Sequence, residues 1–489
     1  MNRQIVHVGV VALVLIAALI VGTTYWQTWA NAGLADRQDN AIRLVAQFSV
    51  KRGKIYAADG KTLLARNVVE KRNGQTLYFR RYPTGPLFSD VVGYSTRTRN
   101  QAGIERSYND YLTGSNANLD TVFHSTIDKL KGTTVTGNNV VLTLRPGAQA
   151  IALRDLRGKC GAVVALNPNT GAVLTMASSP AYNPNPIEKH FAQAARSGGK
   201  CGPFVNRAIA GKYQPGSTFK VVTGTAALNS GQFTPSSTFN DPGYCIEYGK
   251  QVRNAGNPEA PEAFGTVSLF QGLEHSINSV FCNVGKAIGA RLILDYSKKF
   301  GFYRTPPLEL PENEMAASGL YNRGRLFDPK HPETQVDPGR LAFGQERLQV
   351  TPLQMAMVTA TVANRGVLMK PYVVQRVVAP SGKTIARTKP HAYARVMTPQ
   401  TASELNAMMQ AVVTGGTGTA AQISGVPVAG KTGTAETGVG NIYTAWFIAF
   451  APADRAQVAI AVVVENQAGG FGGKVAAPIA KDVMEALLR

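Results

Sequence analysis

The stretch from Ser217 to Leu228 is rich in Val, Thr and Ala and free of proline, and it follows directly on Pro215-Gly216, which break whatever precedes them. It reads as a buried helix, so the rest of the chain has to be built around it. The segment that opens this helix is Gln214-Pro215-Gly216-Ser217-Thr218-Phe219-Lys220. It puts Ser217 in the first turn, at the positive end of the helix dipole, with Lys220 three residues on and on the same face. A serine is a poor nucleophile until an adjacent base takes its proton, and a lysine can be that base only where burial or a second cation keeps it neutral. Ser-x-x-Lys alone proves little. Ser197-Gly198-Gly199-Lys200 repeats it with paired glycines that fix no geometry.

Two further motifs lie downstream in a definite order. Ser276-Ile277-Asn278 sits between apolar helical pieces, and Lys431-Thr432-Gly433-Thr434 ends the apolar run from Val426 with a strand-like segment after it. Ser107-Tyr108-Asn109 also fits Ser-x-Asn but precedes the nucleophile and falls out of order. Each motif has a plain reading: a helix start, a helix cap, a strand edge. Ser-x-x-Lys, Ser-x-Asn and Lys-Thr-Gly in sequence are the signature of penicillin-binding proteins and class A β-lactamases. His275, beside Ser276, has no evident acidic partner and reads as packing or surface.

Lys plus Arg number 51 against 30 Asp plus Glu, a formal charge of +21. That excess suits nucleic acid, anionic lipid or acidic wall polymers, and charge alone does not choose among them. The N-terminus does. After Arg3, residues 5–22 are apolar apart from His7, with no acidic residue or lysine before Asp36. This is about the ~20 residues a bilayer requires. Tyr25, Trp26 and Trp29 then sit where an aromatic belt would mark the outer interface. A signal peptide cleaved near Ala30-Asn31-Ala32 is the rival reading, but its apolar region would be unusually long. The expected arrangement is a membrane anchor through residues 5–24, N-terminus cytoplasmic and catalytic mass outside, with no nucleic acid as partner. Cys160, Cys201, Cys245 and Cys282 form no C-x-x-C pair and have no clustered histidines, so neither a zinc site nor any other metal is expected. Outside a membrane they can form disulfides, and loop placement favours Cys160 with Cys201 and Cys245 with Cys282.

Along the chain, residues 1–35 form the cytoplasmic tip and anchor, and 36–145 a mainly β module with no evident catalytic constellation. In that module Arg52-Gly53-Lys54-Ile55-Tyr56-Ala57-Ala58-Asp59-Gly60 reads as a strand entering a turn, and Gly103-Ile104-Glu105 as a turn entering a helix. Residues 146–489 form the catalytic domain. A hairpin over 161–177 and strands at 426–436, 443–451 and 458–464, with a helix over 476–488, give an α/β fold: a five-stranded antiparallel sheet with helices on both faces.

These residues resemble the class B penicillin-binding proteins, monofunctional D,D-transpeptidases of the bacterial wall, and are most like the actinobacterial penicillin-binding protein A group. The resemblance spans the anchor, the Arg52-Gly53 and Gly103-Ile104-Glu105 boxes, the three motifs, and the passage from Gly344-Gln345 to Thr351-Pro352-Leu353-Gln354. It implies that Ser217 attacks the carbonyl between the terminal D-alanines of a peptidoglycan stem peptide, with Lys220 as base. Ser276 would relay a proton to the leaving amine, and Lys431 would keep Lys220 poised. Asn278, Thr432, Gly433 and Thr434 would bind the donor or a β-lactam antibiotic, and the backbone N–H groups of Ser217 and Thr434 would form the oxyanion hole. No cofactor is implied, and the partner would be a multi-span glycan polymerase. A D,D-carboxypeptidase and a non-catalytic β-lactam sensor or division scaffold are the other readings.

Overall fold

In the computed structural model, the structure describes residues 2–25, 48–72, 75–97, 101–115, 134–196, 199, 201–254, 262–437 and 440–489. The apolar N-terminal run is one 24-residue helix, α1 (Asn2–Tyr25). Leu13, Leu15 and Leu19 are exposed, as is the rest of its apolar surface. An apolar helix that packs on nothing among the described residues has the length and character to cross a bilayer. Trp26, Trp29 and the Ala30-Asn31-Ala32 cleavage reading lie outside the described residues, as do Ser197, Gly198 and Lys200.

The next module is built on β1 (Ile55–Tyr56), β2 (Leu63–Arg72), β3 (Gln75–Arg81) and β4 (Asn139–Leu142). Its sheet has six strands, because residues 374–378 and 384–387, far along the chain, pair outside β4. The two sequence boxes meet inside this module. Arg52 and Glu105 are fully buried with Nη2 to Oε2 at 3.0 Å, and Arg80 Nε reaches Glu105 Oε1 at 2.6 Å. Burial on its own would raise the Glu105 pKa, but Arg80 and Arg52 bring it below the ordinary value.

The second unit opens with α2 (Pro146–Asp155) and the hairpin β5 (Gly161–Leu166) and β6 (Val173–Ser179). The buried run beginning at Lys220 forms α3 (Lys220–Asn229). A small hairpin follows, β7 (Tyr244–Glu247) with β8 (Lys250–Arg253), then α4 (Leu269–Glu274), α5 (Asn278–Lys299) and α6 (Pro352–Ala363). After β9 (Val374–Val378), β10 (Thr384–Arg387) and α7 (Pro399–Thr414), the chain ends in β11 (Ala429–Glu436), β12 (Ile442–Ala451), β13 (Val458–Ala468) and α8 (Gly472–Leu488).

The central sheet is antiparallel in the order β11-β12-β13-β5-β6, the expected five strands. Pleating sorts its side chains into two layers. Val163, Ala165, Phe447 and Val462 pack with Ala152 of α2 and Ala480 and Val483 of α8. Ala162, Val164, Trp446 and Val463 face the opposite way, in one cluster with Leu353 and Val358 of α6. Helices on both faces explain why these strands read as unbroken apolar runs rather than alternating ones.

Cys160 and Cys201 are joined in a disulfide. Cys245 and Cys282 are not, contrary to the expected pairing; both are buried free thiols, and Cys282 Sγ donates to Glu247 Oε1 at 2.8 Å. A carboxylate engages the thiol that the pairing would have consumed.

Candidate active site

The Ser217 segment is not a plain α-helix start. Gly216–Phe219 is a 3-10 turn that continues into α3 at Lys220. In that tighter winding, positions i and i+3 eclipse, so Ser217 and Lys220 lie one above the other. Gly216 takes φ of 53°, in the left-handed region, and a Cβ there would stand 2.8 Å from the Thr434 carbonyl oxygen. Only glycine lets this turn close onto β11. The segment is held from outside by Gly216 N donating to Gly344 O at 3.1 Å and by Trp446 Nε1 donating to Gln214 O at 3.0 Å.

The second motif lies in the break between α4 and α5. Ser276 has φ of 61°, a strained position for a residue with a Cβ, and turns its hydroxyl into the interior. Asn278 starts α5. Its backbone N–H donates to Asn254 Oδ1 at 3.0 Å, and Asn254 Nδ2 in turn donates to both carboxylate oxygens of buried Asp241, at 3.0 and 2.8 Å. The third motif occupies β11, where Lys431 pairs with Ile448 and Gly433 with Trp446. Gly433 lies against the Ser217 turn, and a Cβ there would sit 2.8 Å from Pro215 O.

These elements converge on one hydroxyl. Lys431 Nζ donates to Ser276 Oγ at 2.8 Å, and Lys220 Nζ lies 3.4 Å from the same oxygen. Lys220 Nζ also donates to Ser276 O at 2.7 Å and to Asn278 Oδ1 at 2.8 Å. Both lysines are fully buried, and among the described residues neither forms an ion pair. Burial pushes the Lys431 pKa down to about 7. Burial, and then the facing Lys431, hold Lys220 well below the ordinary lysine value. Both causes favour the neutral amine at Lys220.

Ser217 Oγ makes no hydrogen bond among the described residues; Lys220 is satisfied by the Ser-x-Asn segment instead. Catalytic contacts of this kind often tighten only with substrate present. Ser217, Ser276, Asn278, Thr432, Gly433 and Thr434 line one cleft of about 620 Å³. Asn278 spends its carboxamide oxygen on Lys220 and one amide hydrogen on Arg253 O, at 2.8 Å, leaving its second amide hydrogen for a ligand. Gly472 N donates to Thr434 Oγ1 at 3.3 Å.

Sequence reading missed part of this wall. Thr417 shares a 2.6 Å hydrogen bond with Thr432 Oγ1, and Gln345, Phe471 and Lys474 also border the cleft. Thr417 belongs to no motif, and only its place between α7 and β11 carries it there. His275 stacks on Phe264 with centroids 5.3 Å apart, which agrees with a packing role. Ser107 of the out-of-order Ser-x-Asn donates to Glu309 O at 2.8 Å and takes no part in the cleft.

Residues 161–485 match the penicillin binding protein transpeptidase domain, and residues 52–140 the penicillin binding protein A dimerisation domain. The chain is 34% identical, over 100% of its own length and 99% of the relative's, to peptidoglycan D,D-transpeptidase PbpA of Mycolicibacterium smegmatis, and equally to that of Mycobacterium tuberculosis. The structure of penicillin-binding protein A from M. tuberculosis as a ceftriaxone acyl-enzyme complex superimposes with a TM-score of 0.81 at 32% identity, covering 91% of this chain and 100% of that one. Its penicillin G acyl-enzyme complex gives 0.76 at 33%, covering 90% and 100%. With fold, motif order and full-length similarity in agreement, the chain belongs to the class B penicillin-binding proteins, in the penicillin-binding protein A family of transpeptidases.

Proposed function

We propose that the protein is a peptidoglycan D,D-transpeptidase that crosslinks stem peptides through an acyl-enzyme on Ser217. Ser217 Oγ attacks the carbonyl between the two terminal D-alanines, and Lys220 takes the hydroxyl proton. Ser276, lying between the two amines, passes a proton to the leaving D-alanine nitrogen. Lys431 discourages protonation of Lys220 by its own charge. The tetrahedral oxyanion is received by the backbone N–H groups of Ser217 and Thr434, each worth about 3–4 kcal/mol in the transition state. Asn278 holds the donor amide, and Thr432 and Thr434, with Gly433 between them, hold its terminal carboxylate. A second stem-peptide amine then takes the acyl group. A β-lactam enters as a mimic of the donor and stays bound to Ser217.

The observation that carries this reading is the pair of buried lysines, without a carboxylate partner among the described residues, converging on Ser276 Oγ, an arrangement suited to moving a proton. The apolar α1 supports membrane attachment. Arg3, and a Cys160–Cys201 disulfide that calls for an oxidising compartment, support the N-terminus inside and the catalytic unit outside. A transpeptidase without its own polymerase works beside one, and a multi-span glycan polymerase meeting α1 and the N-terminal module fits that need.

The test is to incubate the protein with a D-Ala-D-Ala acyl donor, with and without an amine acceptor, and to weigh the products. Crosslinked product is expected; free D-alanine with hydrolysed donor alone would make it a carboxypeptidase, and no turnover a sensor. Ser217→Ala should abolish labelling by a fluorescent penicillin with the fold intact, and labelling that persists at another residue would overturn the assignment.

A further inference from the structure

Behind the Ser-x-Asn motif lies a second cluster of reactive side chains that the acyl-transfer chemistry does not use. In β7, Cys245 and Glu247 are buried while Ile246 between them is exposed, so the two project inward from the same face of the strand. The helix α5 brings Cys282 to them, one turn beyond Asn278. The two sulfurs and a Glu247 carboxylate oxygen all lie within 4.8 Å of one another. Asp337 stands beside Glu247 but outside this cluster, its Oδ1 accepting from Arg340 N at 2.8 Å. Gly339 leaves room for the cluster, since a Cβ there would approach Cys282 Sγ to 3.1 Å and run into Glu247 Oε1.

We propose that Cys245, Cys282 and Glu247 form a binding site for one divalent cation of the zinc class, with water at the fourth position. Zinc bonds of about 2.3 Å to sulfur and 2.0–2.2 Å to oxygen place tetrahedral ligand atoms roughly 3.3–3.8 Å apart, within the span observed here. Glu247 Oε1, now 2.8 Å from Cys282 Sγ, is the atom that has to retreat. Two sulfur ligands favour zinc, cobalt or cadmium over magnesium or calcium. On binding, both thiols lose their protons to solvent, and the three anionic ligands exceed the metal charge by one. Lys286, whose Nζ lies 2.7 Å from Glu247 Oε1, offsets it. No C-x-x-C spacing announces the site, because its ligands come from a hairpin and a helix. The metal would tie β7 and β8 to the first turns of α5, beside the Arg253 and Asn254 contacts that hold Asn278.

The test uses the full chain in detergent, purified with reductant, stripped by a chelator and titrated with Co2+. One equivalent is expected to give thiolate-to-cobalt charge-transfer absorption that Zn2+ displaces, and one zinc per chain by elemental analysis. Ser217→Ala should keep the signal, Cys282→Ser should lose it, and Glu247→Gln, with both thiols intact, should bind Zn2+ at least tenfold more weakly. Absorption that persists in Cys282→Ser, or binding unchanged in Glu247→Gln, would place the metal elsewhere and overturn the proposal. So would a protein isolated without reductant whose mass shows Cys245 and Cys282 joined as a second disulfide.

Discussion

Replacing Lys431 with methionine should make the protein more stable at neutral pH while ending its acylation. The Lys431 amine is fully buried and has no carboxylate partner among the described residues. Its pKa falls from 10.5 to about 7 on folding. Between those values the unfolded chain binds more protons than the folded one, so wild-type stability rises with pH through that window. At about 1.4 kcal/mol per pH unit, the penalty at pH 7 reaches about 5 kcal/mol as a ceiling. K431M escapes it but loses the hydrogen bond to Ser276 Oγ, worth about 1–3 kcal/mol. A net gain of about 2–4 kcal/mol at pH 7 follows, shrinking to nothing or reversing as the pH passes 10.5, above which the lysine becomes neutral in both states. Urea unfolding of both proteins at pH 7, 8.5 and 10, with fluorescent penicillin labelling at each pH, measures this; titrating groups remote from Lys431 cancel in the difference, while Lys220, relieved of the facing charge, adds to the gain at pH 7. A K431M protein less stable at pH 7, or a gap that does not change with pH, would refute the reasoning.

Gly433→Ala places a methyl group 2.8 Å from Pro215 O, 2.9 Å from Thr218 Cγ2 and 3.0 Å from Trp446 Cβ, and so pushes β11 away from the Ser217 turn. A misplacement of about 1 Å costs on the order of 100-fold in rate, so penicillin labelling should slow by about that factor with an unchanged circular dichroism spectrum. A wild-type rate would show that the two elements need not touch. Glu105→Ala leaves Arg52 and Arg80 facing each other in the interior and should cost about 3–5 kcal/mol, read as a fall in melting temperature of the full chain.

The readable parts of the sequence were those whose signal is local. The Pro215-Gly216 break, the proline-free helix after it and the apolar strands from Gly161 to Leu166 and Val458 to Val464 declare themselves within a few residues, because both faces of the sheet are covered. The three motifs gave the cleft because each puts residues directly on its wall, with Lys220 and Lys431 buried behind it. Partners that meet only through tertiary contact stayed hidden. Asn254 and Asp241 orient Asn278 from a stretch whose sequence is dominated by turn residues, Asp241 at the end of a short strand, and Thr417 reaches Thr432 across a connection with no pattern of its own. The 3-10 winding at Ser217 was equally unreadable, since it is imposed by the contacts that Gly216 makes with Gly344 and Thr434.

The sheet of the N-terminal module borrows β9 and β10 from beyond α6. No single cut in the polypeptide therefore separates it from the rest. A fragment ending before residue 146 would lack two of its six strands, and one beginning at residue 161 would carry β9 with the edge that faces β4 stripped bare, a ready template for aggregation. Anyone trimming this protein for crystallisation or display should keep residues 139–142 with 374–387, or expect the shortened product to recruit its neighbours.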